Sequence, residues 1–218
     1  MSFPEIRAYR LLTERLELTC YQPEHAEELQ ALAADNKAHI SRFLSWGLDE
    51  PQTLDQKLEW IRQQRIKFDR GEDFAYRVQN RTDSRMIGGA GLRPKESNRQ
   101  MEIGYWVAES ECGRGIATEL TAALTRFSLE TQQASRILIQ CQVENEASNR
   151  IPAKLGFCKE GIARRIRSWP GEGNRDLVVW TLLPEELTGS PSSASIYEAF
   201  DELGQPLNKD TATRPGVL

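Results

Sequence analysis

Histidine and cysteine are scarce in this chain: His25 and His39 are the two histidines, and Cys20, Cys112, Cys141 and Cys158 the four cysteines, among 218 residues. The histidines stand far apart without a matching cysteine or carboxylate cluster, and the cysteines are too scattered for a zinc site, so no metal is expected. Four thiols are too few for a disulfide framework in a chain this long, and they read as free. Long apolar runs are missing as well. No segment approaches the roughly 20 apolar residues of a membrane span, and "MSFPEIRAYRLL" has no apolar core of signal-peptide length. Charge of one sign is not in large excess either. A formal net charge of -4 excludes a nucleic-acid partner held by bulk positive charge. These absences set the expectation of a cytoplasmic protein with no membrane and no direct nucleic-acid partner.

What is present is the composition of one globular domain, with 39% hydrophobic and 28% charged residues. "RLELTCY", Arg15 to Tyr21, alternates like a half-buried strand. Pro23 suits the first turn of a following helix, which stripes Ala26, Leu29 and Ala33. "TLDQKLEWIRQQRIKFDRG" is helical by its Leu54, Leu58 and Ile61 spacing, opens on a Thr53/Gln56 capping box and stops at Gly71. "FAYRVQN", "RMIGGAGLRP" and "MEIGYWVAE" are strands joined by short polar turns, hence antiparallel. Then come a glycine loop, the helix "IATELTAALTRFSLET", the strand "RILIQCQV", the helical "ASNRIPAKLG" interrupted at Pro152, and a closing strand pair around "PGEGN".

Successive strands without crossover helices rule out a simple doubly wound sheet and favour a mixed, mainly antiparallel one. After Leu187 the composition turns small and polar. Residues 1–187 are therefore expected to form the domain and 188–218 a mobile tail, whose patch at Ile196, Tyr197 and Phe200 could dock on the domain or a partner.

The loop "ECGRGIATE", Glu111 to Glu119, lies between a strand and a helix start. Unpaired first-turn amides and the helix dipole suit such a loop to an anion, and glycine lets the backbone approach it. A plain tight turn would use glycines too. The string G-x-x-x-x-G-K-[ST] is absent. G-x-G-x-x-G fails at Thr118, and although Glu144 could imitate the ribose-binding acid, the antiparallel strands before the loop speak against that fold.

"CGRGIA" is similar to the Q/R-x-x-G-x-G/A pyrophosphate motif of the GNAT N-acetyltransferases, matching at Gly115 and Ala117, and "EIGYWV" before it is equally typical. "NEASNRIPAKLGF", Asn145 to Phe157, resembles the N-x-x-S...LGF block of the RimJ/RimL branch, which acetylates protein N-termini. "TERLELTCYQPEHAEEL" and "EGIARRIRSWPGEGNRDLVVWTLL" resemble that branch too, so the resemblance covers about 10–187. It implies an α+β fold of the α/β/α GNAT type: a mixed, mainly antiparallel twisted sheet with helices on both faces and a splayed central strand pair. It also implies acetyl-CoA as co-substrate.

By the same resemblance, the backbone at Tyr105, Trp106 and Val107 pairs with the pantetheine arm. Cys112, Gly113, Arg114, Gly115, Ile116, Ala117 and Thr118 surround the pyrophosphate, and Asn145 and Asn149 lie along the cofactor. Cys112 departs from the motif, which has Gln or Arg there; a nucleophilic role would draw on thiol activation by the helix N-terminus, but no histidine follows nearby as its base. Glu102 is the candidate base, with a surface carboxylate paired to an arginine as its alternative. Ser148 is the candidate donor to the leaving sulfur, with a helix N-cap as its alternative. The second carboxylate of some relatives is replaced by Arg164, Arg165 and Arg167. Phe43 and Trp46 are candidate acceptor-lining groups, or core aromatics. The expected reaction is direct transfer of an acetyl group to a primary amine, most readily a protein N-terminus. A small amine as acceptor, or a non-catalytic acyl-CoA-binding role, stays open, as does a homodimer.

Overall fold

The computed structural model of the chain describes residues 6–95 and 99–207. A hairpin, β1 (Arg10–Leu12) and β2 (Leu16–Cys20), leads into a helical layer of α1 (Ala26–Asp35), the one-turn α2 (Lys37–Ile40) and α3 (Leu54–Arg70). Three strands follow, β3 (Phe74–Asn80), β4 (Met86–Lys95) and β5 (Gln100–Val107), then α4 (Ile116–Arg126), β6 (Arg136–Gln142) and α5 (Glu146–Lys154). The long hairpin β7 (Cys158–Trp169) and β8 (Gly173–Leu182), a turn of helix α6 (Pro184–Leu187) and β9 (Glu198–Phe200) complete the chain.

The nine strands form one sheet in the order β7-β8-β6-β5-β4-β3-β2-β1-β9. Every pairing is antiparallel except that of β5 with β6. This is the mixed, mainly antiparallel sheet that the short turns imply. Two apolar clusters sandwich it. The larger collects Met101, Ile103 and Val107 of β5 with Leu120, Leu124 and Phe127. The smaller gathers Ala26, Leu29 and Ile61 of α1 and α3, with Trp106 against it. Alternation along β5 explains the split, because odd and even residues of a strand point to opposite faces.

Local signals hold where the chemistry is local. Thr53 Oγ1 accepts from the Gln56 amide (3.3 Å) and Gln56 Oε1 from the Thr53 amide (2.8 Å), completing the capping box of α3. Gly71 closes that helix in the left-handed region at φ 74°. Pro23 opens a single 3-10 turn, Pro23–His25, ahead of α1.

Three expectations need correction. The first strand is a hairpin, since β1 precedes it. Pro152 lies inside α5 without breaking it. The chain beyond Leu187 does not leave the domain as a tail: β9 pairs with β1, Tyr197 packs edge-on to Phe127 (6.1 Å), and Ala199 is fully buried. The patch is too short to show a period; Tyr197 is buried and Phe200 part-buried through a strand edge that only the fold supplies, while Ile196 stays exposed. The expectation for 208–218 falls outside the described residues.

Candidate active site

The glycine loop is built as its sequence suggests. Gly113 and Gly115 sit at φ 78° and 79°, a region costly for residues with a Cβ, and Gly115 is the N-cap of α4. The first backbone bond of the helix runs from the Glu119 amide to the Gly115 carbonyl (3.0 Å), so the amides of Ile116, Ala117 and Thr118 have no intrahelical acceptor. Arg15 pins the loop from outside: Nη1 donates to the Arg114 carbonyl (3.0 Å), while Nε donates to Glu119 Oε2 (2.6 Å). Thr13 Oγ1 and the Arg15 amide both donate to Glu119 Oε1, at 2.5 and 2.9 Å. This clamp joins residues about a hundred positions apart, which is why the sequence gives no sign of it.

Beside the loop the sheet opens. β5 is paired with β4 along its whole length but meets β6 only at Gln100–Arg136, Met101–Ile137 and Glu102–Leu138. Beyond those pairs β6 stays with β8 and β5 with β4. From Ile103 to Val107 the β5 edge facing β6 is thus an internal strand edge, open to an extended ligand in the manner of strand addition. Tyr105, Trp106 and Val107 lie on it, and it leads directly into the loop. The loop amides at its end complete a cradle suited to an extended amide chain ending in phosphates.

Ser148 sits across the opening. Its Oγ lies 3.0 Å from Tyr105 Oη on β5 and 3.2 Å from Cys141 Sγ on β6, each three residues past the last β5–β6 pair. Asn145, not Ser148, caps α5, its Oδ1 accepting from the Ser148 amide (3.1 Å). Pro152 has no N–H to give the carbonyl four residues back, which is that of Ser148. Tyr105 Oη supplies a donor there instead (3.3 Å). Burial raises the Tyr105 hydroxyl above the ordinary tyrosine range and pushes the Cys141 thiol up to about 11, partly offset by its bond to Ser148. Both are therefore proton-bearing neutral donors near pH 7. The single Tyr105 proton goes to the Ser148 carbonyl; if the Cys141 thiol donates into Ser148 Oγ, the serine's own proton is free for a sulfur in the gap. Asn149 is committed to the scaffold: Nδ2 donates to the Gln142 and Asn145 carbonyls (2.9 Å each) and Oδ1 accepts from Trp180 Nε1 (2.9 Å). Asn145 and Asn149 thus shape the wall beside the opening.

Glu102, the last residue of β5 paired with β6, shares the parity of Trp106 and so belongs to the opposite face. Its side chain is 12% exposed and forms ion pairs with Lys95 and with Arg167 (3.9 Å). The paired-carboxylate alternative is therefore realised, with a lysine as well as an arginine. Trp46 packs edge-on against Trp106 (5.6 Å), and Phe43 is held where its carbonyl accepts from Gln142 Nε2 (2.9 Å). Phe43 and Trp46 both remain part-exposed, so neither is a core aromatic.

A buried ion pair that the sequence does not announce, Lys57 with Glu50, supports this wall, and Lys57 Nζ lies over the Trp46 ring (5.8 Å). Arg175 bonds Gln142 Oε1 (2.8 Å) and the Arg42 carbonyl (3.4 Å), tying β8 to the same loop.

Cys112 differs from expectation in two respects. A histidine is close after all: His39 Nε2 lies 3.7 Å from the sulfur, brought there by α2, 73 positions earlier. The thiol is nonetheless raised, first by burial and then by Glu109 and Glu111, rather than activated by the helix end three residues away. Cys112→Ala is expected to keep acetyl-CoA affinity and turnover within about twofold, as for a surface position away from special features; loss of turnover alone, in steady-state kinetics, would restore the nucleophile. Among the described residues no group of three or more His, Cys, Asp or Glu is placed to hold a metal ion, and no helix is long and apolar enough to cross a membrane.

Comparison with known proteins gives the same assignment. A family model described as an acetyltransferase (GNAT) domain matches residues 15–158. A Bacillus subtilis (strain 168) protein provisionally named as a ribosomal N-acetyltransferase, YdaF, is 29% identical over 184 residues, covering 82% of this chain and 96% of the relative. The ribosomal-protein-serine acetyltransferase of Escherichia coli (strain K12) is 27% identical over 155 residues, 71% of this chain and 85% of the relative. Among solved structures, Mycobacterium smegmatis RimJ in complex with CoA-disulfide superposes with a TM-score of 0.74 over 85% of this chain and 91% of its own, at 22% identity, a likeness of fold. With the splayed strands, the glycine loop and two thirds of the chain in agreement, this protein belongs to the GNAT acetyltransferase family and is an acetyl-CoA-dependent acyltransferase.

Proposed function

We propose that the acceptor is the α-amino group of a protein N-terminus, acetylated by direct attack on the thioester while both substrates are bound. The observation that carries this reading is the form of the acceptor side. Trp46 stands part-exposed beside Trp106 and Phe43 part-exposed on a segment tied to β6 and β8, and small-molecule sites are usually enclosed clefts that bury most of their ligand. An N-terminus needs only its first residues held. The names of the relatives, two of them ribosomal acetyltransferases, point the same way.

In this reading the internal edge of β5 holds the pantetheine amides, and the amides from Gly113 to Thr118 hold the pyrophosphate. That alignment supplies much of the acceleration by making the transfer effectively intramolecular. Transfer also requires a neutral amine and a proton for the departing sulfur. Ser148, with its hydroxyl in the gap, is assigned the second task. Glu102 is assigned the first, acting through water, with Lys95 and Arg167 fixing the carboxylate.

Glu102→Gln should lower turnover about tenfold or more with acetyl-CoA affinity retained; unchanged kcat removes it from the mechanism. The reading as a whole is tested by thiol release with a panel of N-terminal peptides and small amines. Turnover on peptides supports it. Turnover confined to polyamines, amino acids or aminoglycosides transfers the activity to small molecules, and tight acetyl-CoA binding with no turnover anywhere leaves an acyl-CoA-binding protein.

A further inference from the structure

The three arginines that stand where some relatives have a second carboxylate lie on an irregular part of β7. Ala163 pairs with Leu177 and Arg167 with Arg175, so four steps along β7 face two along β8. The extra residues form a bulge over Arg164, Arg165 and Ile166, and bulges beside active sites commonly re-aim side chains. This one is pinned. Arg165 holds φ 51°, its amide donates to Asp176 Oδ1 (2.8 Å), and its carbonyl accepts from Asn174 Nδ2 (3.1 Å).

The bulge adjoins the acceptor side, because Arg167 reaches Glu102 and its register partner Arg175 bonds the Arg42 carbonyl next to Phe43. Arg164 and Arg165 are exposed, and among the described residues no ion pair engages them. β7 is also the outermost strand, with its outer edge unpaired among the described residues.

We propose that this bulge recognises an acidic stretch of the acceptor polypeptide, a few residues downstream of its amine. The inference rests on the N-terminal reading above and narrows it to a substrate class. Arg164 and Arg165 lie three and two residues before Arg167 across the bulge, at most about 10 Å of chain. An amine near Glu102 thus places positions about three to six of the acceptor beside them. Charges arranged in this way select partners and steer their encounter more than they add raw affinity.

The test uses the full chain, acetyl-CoA and matched peptides with the same first two residues, carrying glutamate, glutamine or lysine at positions 3–6. The glutamate peptide should have a kcat/KM about tenfold above the glutamine peptide at low salt, and the advantage should shrink at high salt as screening sets in. Arg164→Gln with Arg165→Gln should remove the advantage while leaving the glutamine peptide's kinetics unchanged, and Arg164→Glu with Arg165→Glu should turn the preference toward lysine. Equal use of the three peptides by the wild-type protein overturns the proposal. So does a rise in the KM for acetyl-CoA in the glutamine variant, which would assign the arginines to the phosphates. Acetylation of small amines with no peptide turned over at all instead sinks the N-terminal reading.

Discussion

Ser148→Ala lowers kcat about a hundredfold, with the Kd for acetyl-CoA changed less than about threefold; this is the expected result of removing one positioned proton donor. The substitution is unusually clean. Asn145 caps α5, so the helix does not lose its N-terminal bond, and Tyr105 Oη keeps the Ser148 backbone carbonyl as a partner. The buried Cys141 thiol loses its Ser148 partner, but a thiol is only a weak donor. Tyr105→Phe makes the complementary test: the Ser148 carbonyl, already without its helical partner because of Pro152, loses its substitute donor. Stability should fall by about 1 kcal/mol, the low end of the cost of an unsatisfied acceptor, because this carbonyl is part-buried. Turnover should fall less than in Ser148→Ala, because the serine proton remains. Single-turnover kinetics alongside calorimetric binding separates these outcomes, and a Ser148→Ala enzyme of normal kcat would reduce the serine to packing.

The second large effect is on stability. The Glu50 side chain is fully buried and that of Lys57 5% exposed, and Glu50 Oε2 also accepts from the Gln52 amide (3.0 Å). Glu50→Ala strands a lysine charge away from water. Breaking such a pair from one side costs about 3–5 kcal/mol, which for a chain of this size is a fall of roughly 10 °C in Tm. Glu50→Leu combined with Lys57→Met removes both charges and should recover most of the loss in the same thermal scan. If the single and double variants melt alike, the pair is not a coupled unit. Because Lys57 lies over Trp46, the single variant should also raise the KM of the acceptor more than that of acetyl-CoA.

How far the sequence carried depends on the range of the interaction. Capping at Thr53 and Gln56, the stop at Gly71 and the short turns between β3, β4 and β5 involve neighbours along the chain, and all were legible. The glycine loop was legible as an anion cradle because the φ requirement and the helix start are adjacent in sequence. The clamp of Arg15 on Glu119, the approach of His39 to Cys112 and the support of Trp46 by Lys57 and Glu50 were not, since no periodicity marks a contact made only by folding. Pro152 is the instructive case. Read alone it interrupts a helix; in the fold its missing N–H is what leaves the Ser148 carbonyl for Tyr105.

The two outer rims of the sheet are finished differently, and this bears on how two copies could meet. At one rim β9 covers β1, and the chain then doubles back, with Pro206 bridged to Phe200 and the Leu207 amide bonded to the Ala199 carbonyl (2.8 Å), so little backbone is offered to a neighbour. At the other, β7 is long and, among the described residues, unpaired on its outer side. In an antiparallel register centred on the bulge, two copies joined β7 to β7 would bring Arg164, Arg165 and Arg167 of one against the same three of the other, and like charges across a strand pair are destabilising. The open rim thus discriminates against its own kind while remaining available to a strand of opposite charge.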